Sequence, residues 1–304
     1  MSDSVVSAIP TVPAKTIVQR AKMPGAWFGI DYNMNLYKGC CHGCIYCDSR
    51  SDCYGIDHFD TVRAKANALR IVRDDLRGKV HTGVVGTGAM SDPYNPFEQR
   101  ESLTRNALML LEAYGFGVAI ATKSPLITRD IDLLQSINAV SPVLCKITIT
   151  TCDDALAQKI EPHVAVSSER FAAVEQLARA GIFTGLLLMP VLPFLEDTPE
   201  NILGIVQRAQ AAGARFIYPA FGMTLRENQR AHYLRALEQL FPEQKLVQRY
   251  VQRYGTKYEC RSPKARELWH IFVGVCDKAG ILYKMQDIIC GYKQGKQAQQ
   301  LSFL

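Results

Sequence analysis

The chain has 304 residues, of which 48% are hydrophobic and 21% charged, so it can bury one sizeable core and is neither mainly disordered nor fibrous. The N-terminus lacks a basic segment followed by an apolar run, and two prolines interrupt the longest apolar stretch, FTGLLLMPVLPFL, so we expect a cytoplasmic protein that does not enter membranes. The net charge of +6 permits an anionic partner but does not demand one.

Three regions of the chain differ in their patterning. Residues 1–27 are rich in Ser, Pro and Lys without a clear period, which is typical of an arm lying over a core or of a partly disordered tail. Residues 28–241 alternate short apolar runs with segments of helical period. We interpret residues 242–304 as a C-terminal extension packed on that core, with one helix over 263–279.

The central region divides into six strand–helix units. The predicted strands are FGIDYNMNLY, VHTGVVGTG, GVAIAT, CKITITT, FTGLLLMPV and FIYPAF. The predicted helices cover 62–76, 98–113, 129–137, 167–179, a segment that starts near Thr198, and 225–240. Such alternation implies a parallel sheet with helical crossovers, which is either an open barrel or a doubly wound sheet.

Polar residues follow several of these strands. Both architectures place chemistry at the carboxyl ends of the strands. The candidates at these ends are a cysteine loop after the first strand, Ser91 and Asp92 after the second, Lys123 and Ser124 after the third, and Thr148, Thr150 and Thr151 at the end of the fourth.

The cysteine loop, GCCHGCIYCDSR, contains Cys40, Cys44 and Cys47, separated by three and then by two residues. Cysteine thiolates hold iron–sulfur clusters, normally with four ligands. Three thiolates would leave one iron of a 4Fe–4S cluster open, and catalysis needs such an open position. S-adenosylmethionine can fill it, and one electron passed to the sulfonium then releases a 5′-deoxyadenosyl radical.

Two other uses of the loop stay open at this point. A zinc site could combine these cysteines with Cys41, Cys53 or His42, although zinc loops usually pair two C-x2-C units and this loop has one. Structural cysteines are the second alternative. The three-then-two spacing after a first strand favours the cluster.

The loop resembles that of the radical S-adenosylmethionine (SAM) superfamily, and its form C-x-H-x-C-x-Y-C resembles the spore photoproduct lyase-like branch, often called DNA repair photolyase-like. Further segments resemble family segments in the family's order: GTGAMSDPYNPFE, ATKSPLITRDIDLL, ITITTCDDALAQKIEP, RFAAVEQLARAGIFTGLLLMPVLP and the tail QQLSFL. The resemblance covers roughly residues 25–304. It implies a partial (β/α)6 TIM-like barrel with a C-terminal extension.

The resemblance also implies roles for individual residues. The matching positions are Cys40, Cys44 and Cys47 for the cluster, Tyr46 beside it, and Ser91, Lys123 and Thr148 for the SAM site. Lys123 would pair with the methionyl carboxylate, a suitable task for a compact cation. Thr148 stands where the lyase has serine, which preserves a hydroxyl. We further predict a reducing partner such as flavodoxin or ferredoxin.

One position departs from the family pattern. The lyase carries a cysteine just before its Ser-Asp segment, and that cysteine returns a hydrogen atom to the product radical. Here Ala89 and Met90 precede Ser91, so we do not expect photoproduct repair by the lyase route. Cys145 and Cys152 flank the fourth strand, but the sequence does not assign this task to either.

The C-terminal extension carries a basic stretch. Tyr250, Tyr254 and Tyr258 are interleaved with its cations, and in a helix the spacing of four would align a basic stripe beside a tyrosine stripe, although Gly255 breaks any helix. Cations contact phosphates and aromatics stack on bases, which suits single-stranded or distorted nucleic acid. A solvated, partly packed face is the alternative interpretation of the same stretch. The residues predicted to bind it are Lys245, Arg249, Arg253, Lys257 and Arg261.

Three functions are compatible with these patterns. The first is a radical enzyme acting on a nucleic acid base or nucleotide. The second applies the same chemistry to a peptide or small metabolite. The third is a non-enzymatic iron–sulfur or zinc protein. The motifs do not encode the substrate or a catalytic residue.

Overall fold

The computed structural model describes residues 9–296. The first eight residues of the predicted arm and the tail segment QQLSFL lie outside this range. The strands are β1 (Thr11–Val12), β2 (Val18–Arg20), β3 (Tyr32–Met34), β4 (Tyr37–Lys38), β5 (Arg63–Lys65), β6 (Val84–Thr87), β7 (Gly117–Thr122), β8 (Val143–Thr148), β9 (Thr184–Leu188), β10 (Phe216–Pro219), β11 (Gly222–Thr224) and β12 (Glu259–Arg261). The α-helices are α1 (Ala68–Arg77), α2 (Glu98–Glu101), α3 (Leu103–Ala113), α4 (Ile131–Val140), α5 (Asp154–Ile160), α6 (Ser167–Arg179), α7 (Pro199–Ala211), α8 (Glu227–Leu240), α9 (Leu246–Tyr254), α10 (Ala265–Ala279) and α11 (Met285–Lys293).

The central sheet has seven strands in the order β10-β9-β8-β7-β6-β3-β2. Neighbours from β3 to β10 run parallel, and β2 adds an antiparallel edge. The six parallel strands follow one another in chain order without the reversal that defines a doubly wound sheet. The partial (β/α)6 barrel is therefore confirmed, and the doubly wound alternative is wrong.

Several predicted elements coincide with the observed ones. The run GVAIAT is β7, and its residues are almost fully buried, as expected of a central parallel strand. Helix α6 has the predicted bounds. Helix α7 begins after Thr198, whose hydroxyl accepts a hydrogen bond from the Asn201 amide at 3.2 Å, with Pro199 in the first turn.

Two predicted helices differ from the observed elements. The helix predicted over 62–76 begins only at Ala68, because β5 pairs with β1 and β4 in a small separate sheet. These pairings to distant segments outweigh the local helical pattern. The helix predicted over 98–113 is split at Ser102, whose φ of 49° interrupts it.

The chain after β10 closes the open edge of the barrel. The backbone of Leu282 bonds to Arg215 and Ile217 beside β10, and from α11 the Tyr292 hydroxyl donates to the Phe28 carbonyl at 2.7 Å. The extension also contributes α9, α11 and β12, which pairs with β11 of the core region. The sequence pattern did not predict α11 or this pair of strands. Within residues 9–296, no helix combines the length and apolarity needed to cross a bilayer.

Candidate active site

The cysteine loop follows β4 at the end of the barrel where the parallel strands terminate. Its entry needs glycine at position 39, because φ is +82° there and a Cβ atom would lie 2.3 Å from the Thr61 carbonyl oxygen. The Cys40 amide donates to the Phe59 carbonyl at 2.8 Å and the Ile45 amide to the Ile160 carbonyl at 3.0 Å. Backbone contacts on both sides therefore fix the path of the loop.

The thiols of Cys40, Cys44 and Cys47 lie within electrostatic range of one another. Burial raises the pKa of Cys40 to about 12 and also raises that of Cys44, and each pKa is raised further by the neighbouring thiolate of Cys47. All three thiols are free of disulfides. Thiols whose pKa is raised in this way become thiolates only beside compensating cations. The irons of a cluster would supply such cations, so these donors fit a 4Fe–4S cluster.

The zinc alternative required additional ligands from Cys41, Cys53 or His42. The His42 imidazole instead lies 3.7 Å from the Asp92 carboxylate, and Cys53 is exposed on a short 3-10 helix. Across residues 9–296, no three His, Cys, Asp or Glu side chains surround a single ion position. A 4Fe–4S cluster needs less convergence, because each thiolate binds a different iron.

Asp92, after β6, connects the ends of two neighbouring strands. Its carboxylate accepts hydrogen bonds from the Thr122 hydroxyl at 2.6 Å and from the Lys123 amide at 2.8 Å. The Tyr94 amide donates to the same carboxylate at 2.8 Å. Close contact between the strand ends also depends on Gly88, where a Cβ atom would lie 1.8 Å from the Ala121 carbonyl oxygen. Asp92 thereby fixes the backbone from which Lys123 projects.

Lys123 lies in a buried network of charges beside the cysteine loop. Its Nζ atom is 3.9 Å from Glu161 Oε1 and 5.7 Å from the centroid of the Tyr46 ring. The Tyr46 hydroxyl donates to Glu161 Oε1, and Glu161 Oε2 lies 2.5 Å from Arg170 Nη2. Glu161 and Arg170 were not predicted as site residues, because no local sequence pattern reveals that they meet Tyr46 and Lys123, which are far away along the chain.

The network keeps its charges despite burial. Burial alone would lower the pKa of Lys123, but the charges of Cys44 and Glu161 outweigh it and raise that pKa. For Glu161 the opposite holds: burial would raise the pKa, whereas Arg170 and Lys123 lower it overall. Lys123 is therefore a cation and Glu161 a carboxylate at neutral pH.

Ser91 and Thr148 take different positions. The Ser91 hydroxyl donates to the Gly39 carbonyl at 2.5 Å, so it anchors the start of the cysteine loop. Thr148 lines a cavity inside the barrel together with Lys123. The structure thus brings Tyr46, Lys123 and Thr148 to the cavity walls, whereas the hydroxyl of Ser91 is already engaged.

Two adjoining cavities open next to the loop. The outer cavity, of about 540 Å³, is lined among others by Tyr46, Cys47, Lys123 and Arg261. The inner cavity, of about 290 Å³, lies within the barrel and is lined among others by Lys123, Lys146 and Thr148. Ala89, Lys123 and Met189 belong to both walls. A ligand that spans the two cavities would pass directly beside Lys123.

The two residues that precede Ser91, where the lyase has its hydrogen-donating cysteine, lie in different parts of the structure. Ala89 lines both cavities, whereas Met90 lines a separate depression beside Tyr37. Cys145 packs into the core outside the barrel, and the Cys152 thiol faces Gly204 of α7. Neither cysteine is among the lining residues of the two cavities.

The basic stretch forms α9 and β12, and its tyrosines are not a stacking surface. Tyr250 and Tyr254 are buried in a core cluster, so the predicted exposed tyrosine stripe is wrong. Only Tyr258 is exposed, and the Arg226 guanidinium lies 4.6 Å from its ring centroid. The predicted cations, in contrast, are all exposed: Lys245, Arg249, Arg253, Lys257 and Arg261.

The chain is similar in sequence to known proteins. A model of the radical SAM superfamily matches residues 34–218. An uncharacterised protein of Mycobacterium tuberculosis is 31% identical over 230 residues, which cover 73% of this chain and 67% of that protein. An uncharacterised protein of Methanocaldococcus jannaschii is 29% identical over 236 residues, which cover 76% of this chain and 83% of that protein.

Solved structures share the fold. A mutant spore photoproduct lyase with bound AdoMet and dinucleoside spore photoproduct gives a TM-score of 0.61 at 17% identity, covering 84% of this chain and 77% of that one. The radical SAM methyltransferase TsrM from Kitasatospora setae, with tryptophan and a SAM analogue bound, gives 0.53 at 13% identity and covers 81% of this chain and 51% of that one.

Proposed function

The chain belongs to the radical SAM superfamily, and from this premise we propose that Cys40, Cys44 and Cys47 hold the 4Fe–4S cluster that this enzyme uses together with SAM. The observation that carries the proposal is that these three thiols lie within electrostatic range of one another, that Cys44 and Cys47 interact electrostatically with Lys123, and that Cys47 and Lys123 line the outer cavity. When bound, the cluster and SAM supply a 5′-deoxyadenosyl radical that abstracts hydrogen from a substrate.

Lys123 binds the carboxylate of SAM in this proposal. Asp92 fixes its backbone, and Glu161 keeps its ammonium charged beside the cysteine loop. Thr148 offers a hydroxyl from the wall of the inner cavity, and Tyr46 packs beside the cluster. Ser91 supports the site indirectly, because its hydroxyl donates a hydrogen bond to the Gly39 carbonyl at the start of the cysteine loop.

The substrate that we propose is a nucleic acid base or nucleotide. Exposed cations of the extension reach the rim of the outer cavity through Arg261 on β12, so phosphates bound along the extension would lead a base toward the cavities. Because Tyr250 and Tyr254 are buried, the contact depends on phosphates rather than on stacking. A peptide or small metabolite is the second candidate, since the inner cavity of about 290 Å³ admits only a small group.

Repair of spore photoproduct by the lyase route is not part of this proposal. Ala89 occupies the cavity wall just before the Ser-Asp segment, and a methyl group cannot return a hydrogen atom as a thiol does. Cys145 and Cys152 face away from the cavities. The product radical must therefore be quenched differently or lead to a different product.

Enzymes of this superfamily need an external reductant, and we propose that a flavodoxin or ferredoxin delivers the electron. The test of the substrate proposal uses reconstituted, reduced enzyme and deuterium-labelled thymidine oligonucleotides, with labelled peptides as the comparison. We expect deuterium to enter 5′-deoxyadenosine from the oligonucleotides. Transfer from the peptides alone would overturn the nucleic acid proposal and favour the second candidate.

A further inference from the structure

Lys146 lies on β8 and points into the barrel. Along this strand Leu144 packs toward the interior, whereas Cys145 and Ile147 pack into the core outside it. Lys146 and Thr148 share the inward face and line the inner cavity. The Lys146 residue is only 4% exposed.

The ammonium of Lys146 has no counter-ion in the part of the chain that the structure describes. Among residues 9–296, no group accepts a hydrogen bond from it or forms an ion pair with it, and its Nζ atom faces the Phe28 ring, 4.6 Å from the centroid. Buried lysines are normally paired, because desolvating an ammonium is costly. An unpaired ammonium lining a cavity is therefore a candidate ligand-binding group.

The neighbouring strand β7 leaves space beside this side chain. Ala121 stands in register with Lys146 and lines the same cavity, and its methyl group is too small to fill it. On the other side, at Gly185 of β9, the Phe216 backbone and ring occupy the space that a side chain would need. The cavity is therefore open next to the ammonium on the side of β7.

The ammonium remains largely charged near neutral pH. Burial lowers the pKa of Lys146 to about 8. The Lys146 ammonium therefore lies in the cavity wall as a cation that lacks an anionic partner. In a medium of low dielectric constant, an incoming anion gains more from such a cation than a neutral acceptor does.

The remaining cavity wall suits a small substrate group. Trp27 and Asn33 line the cavity, and the Trp27 ring meets the Tyr218 ring edge to face at 5.4 Å. The volume of about 290 Å³ lies at the lower end for ligand sites, near 300 Å³. Lys123 joins this cavity to the outer one, so SAM held at Lys123 would lie next to a group bound at Lys146.

We propose that the inner cavity is the substrate subsite and that Lys146 determines specificity by binding an anionic oxygen group of the substrate, a carboxylate or a phosphate. This inference rests on the proposed function, because it places the substrate beside SAM. A nucleotide would offer the phosphate, whereas a peptide or organic acid would offer the carboxylate.

The test titrates the reconstituted enzyme anaerobically with acetate and with inorganic phosphate. Trp27 fluorescence reports binding in a Trp269→Phe background, since these are the two tryptophans of the chain. We expect a saturable response to at least one of the two anions, and its identity tells which oxygen group the subsite takes. In Lys146→Met and in Lys146→Gln the apparent Kd should rise at least about tenfold.

The matched control is Lys79→Met, which removes an ammonium that lies 5.5 Å from the Tyr32 ring centroid, away from the cavity. Its Kd should equal that of the parent. An unchanged Kd in both Lys146 variants, or no saturable response to either anion, would overturn the subsite.

Formation of 5′-deoxyadenosine by the wild-type preparation is measured in parallel. Its absence from protein with an intact cluster would overturn the proposed function. Loss of anion binding on substitution of Lys146 would still support the subsite in that case, so the two failures are distinguishable.

Discussion

Glu161 Oε2 and Arg170 Nη2 lie 2.5 Å apart, and both side chains are only 1% exposed. This pair joins the segment after α5 to α6 and, through Lys123, to the end of β7. Because the pair is buried, it stabilises the folded structure around the site and also contributes to the electrostatics of the site.

Glu161→Gln should lower the free energy of unfolding by about 3–5 kcal/mol, because it leaves the Arg170 charge buried without a counter-ion. Urea unfolding of the apoprotein measures the loss. The matched control is Glu175→Gln on α6, which breaks an exposed pair with Arg179 and should cost less than about 1 kcal/mol. Equal losses in the two variants would contradict a supporting role for the buried pair.

Asp92→Asn should weaken SAM binding by about 10- to 100-fold, the range for residues that orient a ligand-binding group. The NH2 group that replaces one carboxylate oxygen is a hydrogen-bond donor, and it would face the donors of Thr122 and Lys123, which need an acceptor. Equilibrium binding of SAM to reconstituted protein measures the change, and iron content should stay at the parent value. Asp132→Asn, at an exposed carboxylate paired with Arg105, is the control. SAM affinity that is unchanged in Asp92→Asn would rule out this positioning role.

Reversing two charges on α9, with Arg249→Glu and Arg253→Glu together, should weaken single-stranded oligonucleotide binding. The slope of log K against log salt should fall by about 1.4, since each phosphate contact to a single strand contributes about 0.7. Fluorescence anisotropy at several salt concentrations measures both quantities. Arg73→Glu with Arg77→Glu on α1 makes the same change of charge outside the extension. An equal effect of the two double variants would point to net charge rather than to a binding surface.

Lys146→Met should be more stable than the parent at pH 7. The pKa of Lys146 is lowered by burial from 10.5 to about 8, which corresponds to roughly 3 kcal/mol below pH 8, where the lysine is protonated in both the folded and the unfolded state. Between pH 8 and 10.5 the unfolded chain binds more protons, so the parent gains stability as the pH rises. Unfolding at pH 7 and near pH 10 should show the advantage of the variant shrinking. If the difference in unfolding free energy between the variant and the parent were the same at both pH values, burial would not lower the pKa of Lys146.

Much of the barrel could be predicted from sequence because its signals are local. The run GVAIAT is apolar over the whole length of β7, and Thr198 with Pro199 marks the start of α7. The segment 63–65 could not be placed, because its strand identity depends on partners near residues 11 and 37. Pairing over such separations leaves no local periodicity to detect.

The site was predictable where its residues lie in one loop or at the end of a predicted strand. The cysteine spacing indicated the cluster, and strand ends indicated Lys123 and Thr148. Glu161 acquires its role from Arg170 and Lys123, which lie on other elements. The spacing of Tyr250 and Tyr254 predicted a shared helix face but could not tell whether that face meets solvent or core.

In the proposed function, Cys40, Cys44 and Cys47 hold a cluster that cleaves SAM. The most direct measurement is formation of 5′-deoxyadenosine from SAM by anaerobically reconstituted, reduced protein, together with its iron content. We expect product from the wild type and from Cys53→Ala, which changes an exposed cysteine. Alanine at any of the three loop positions should abolish both the product and the visible absorption of the cluster. No 5′-deoxyadenosine from wild-type protein with an intact cluster, or full activity after loss of Cys44, would contradict this role of the three cysteines.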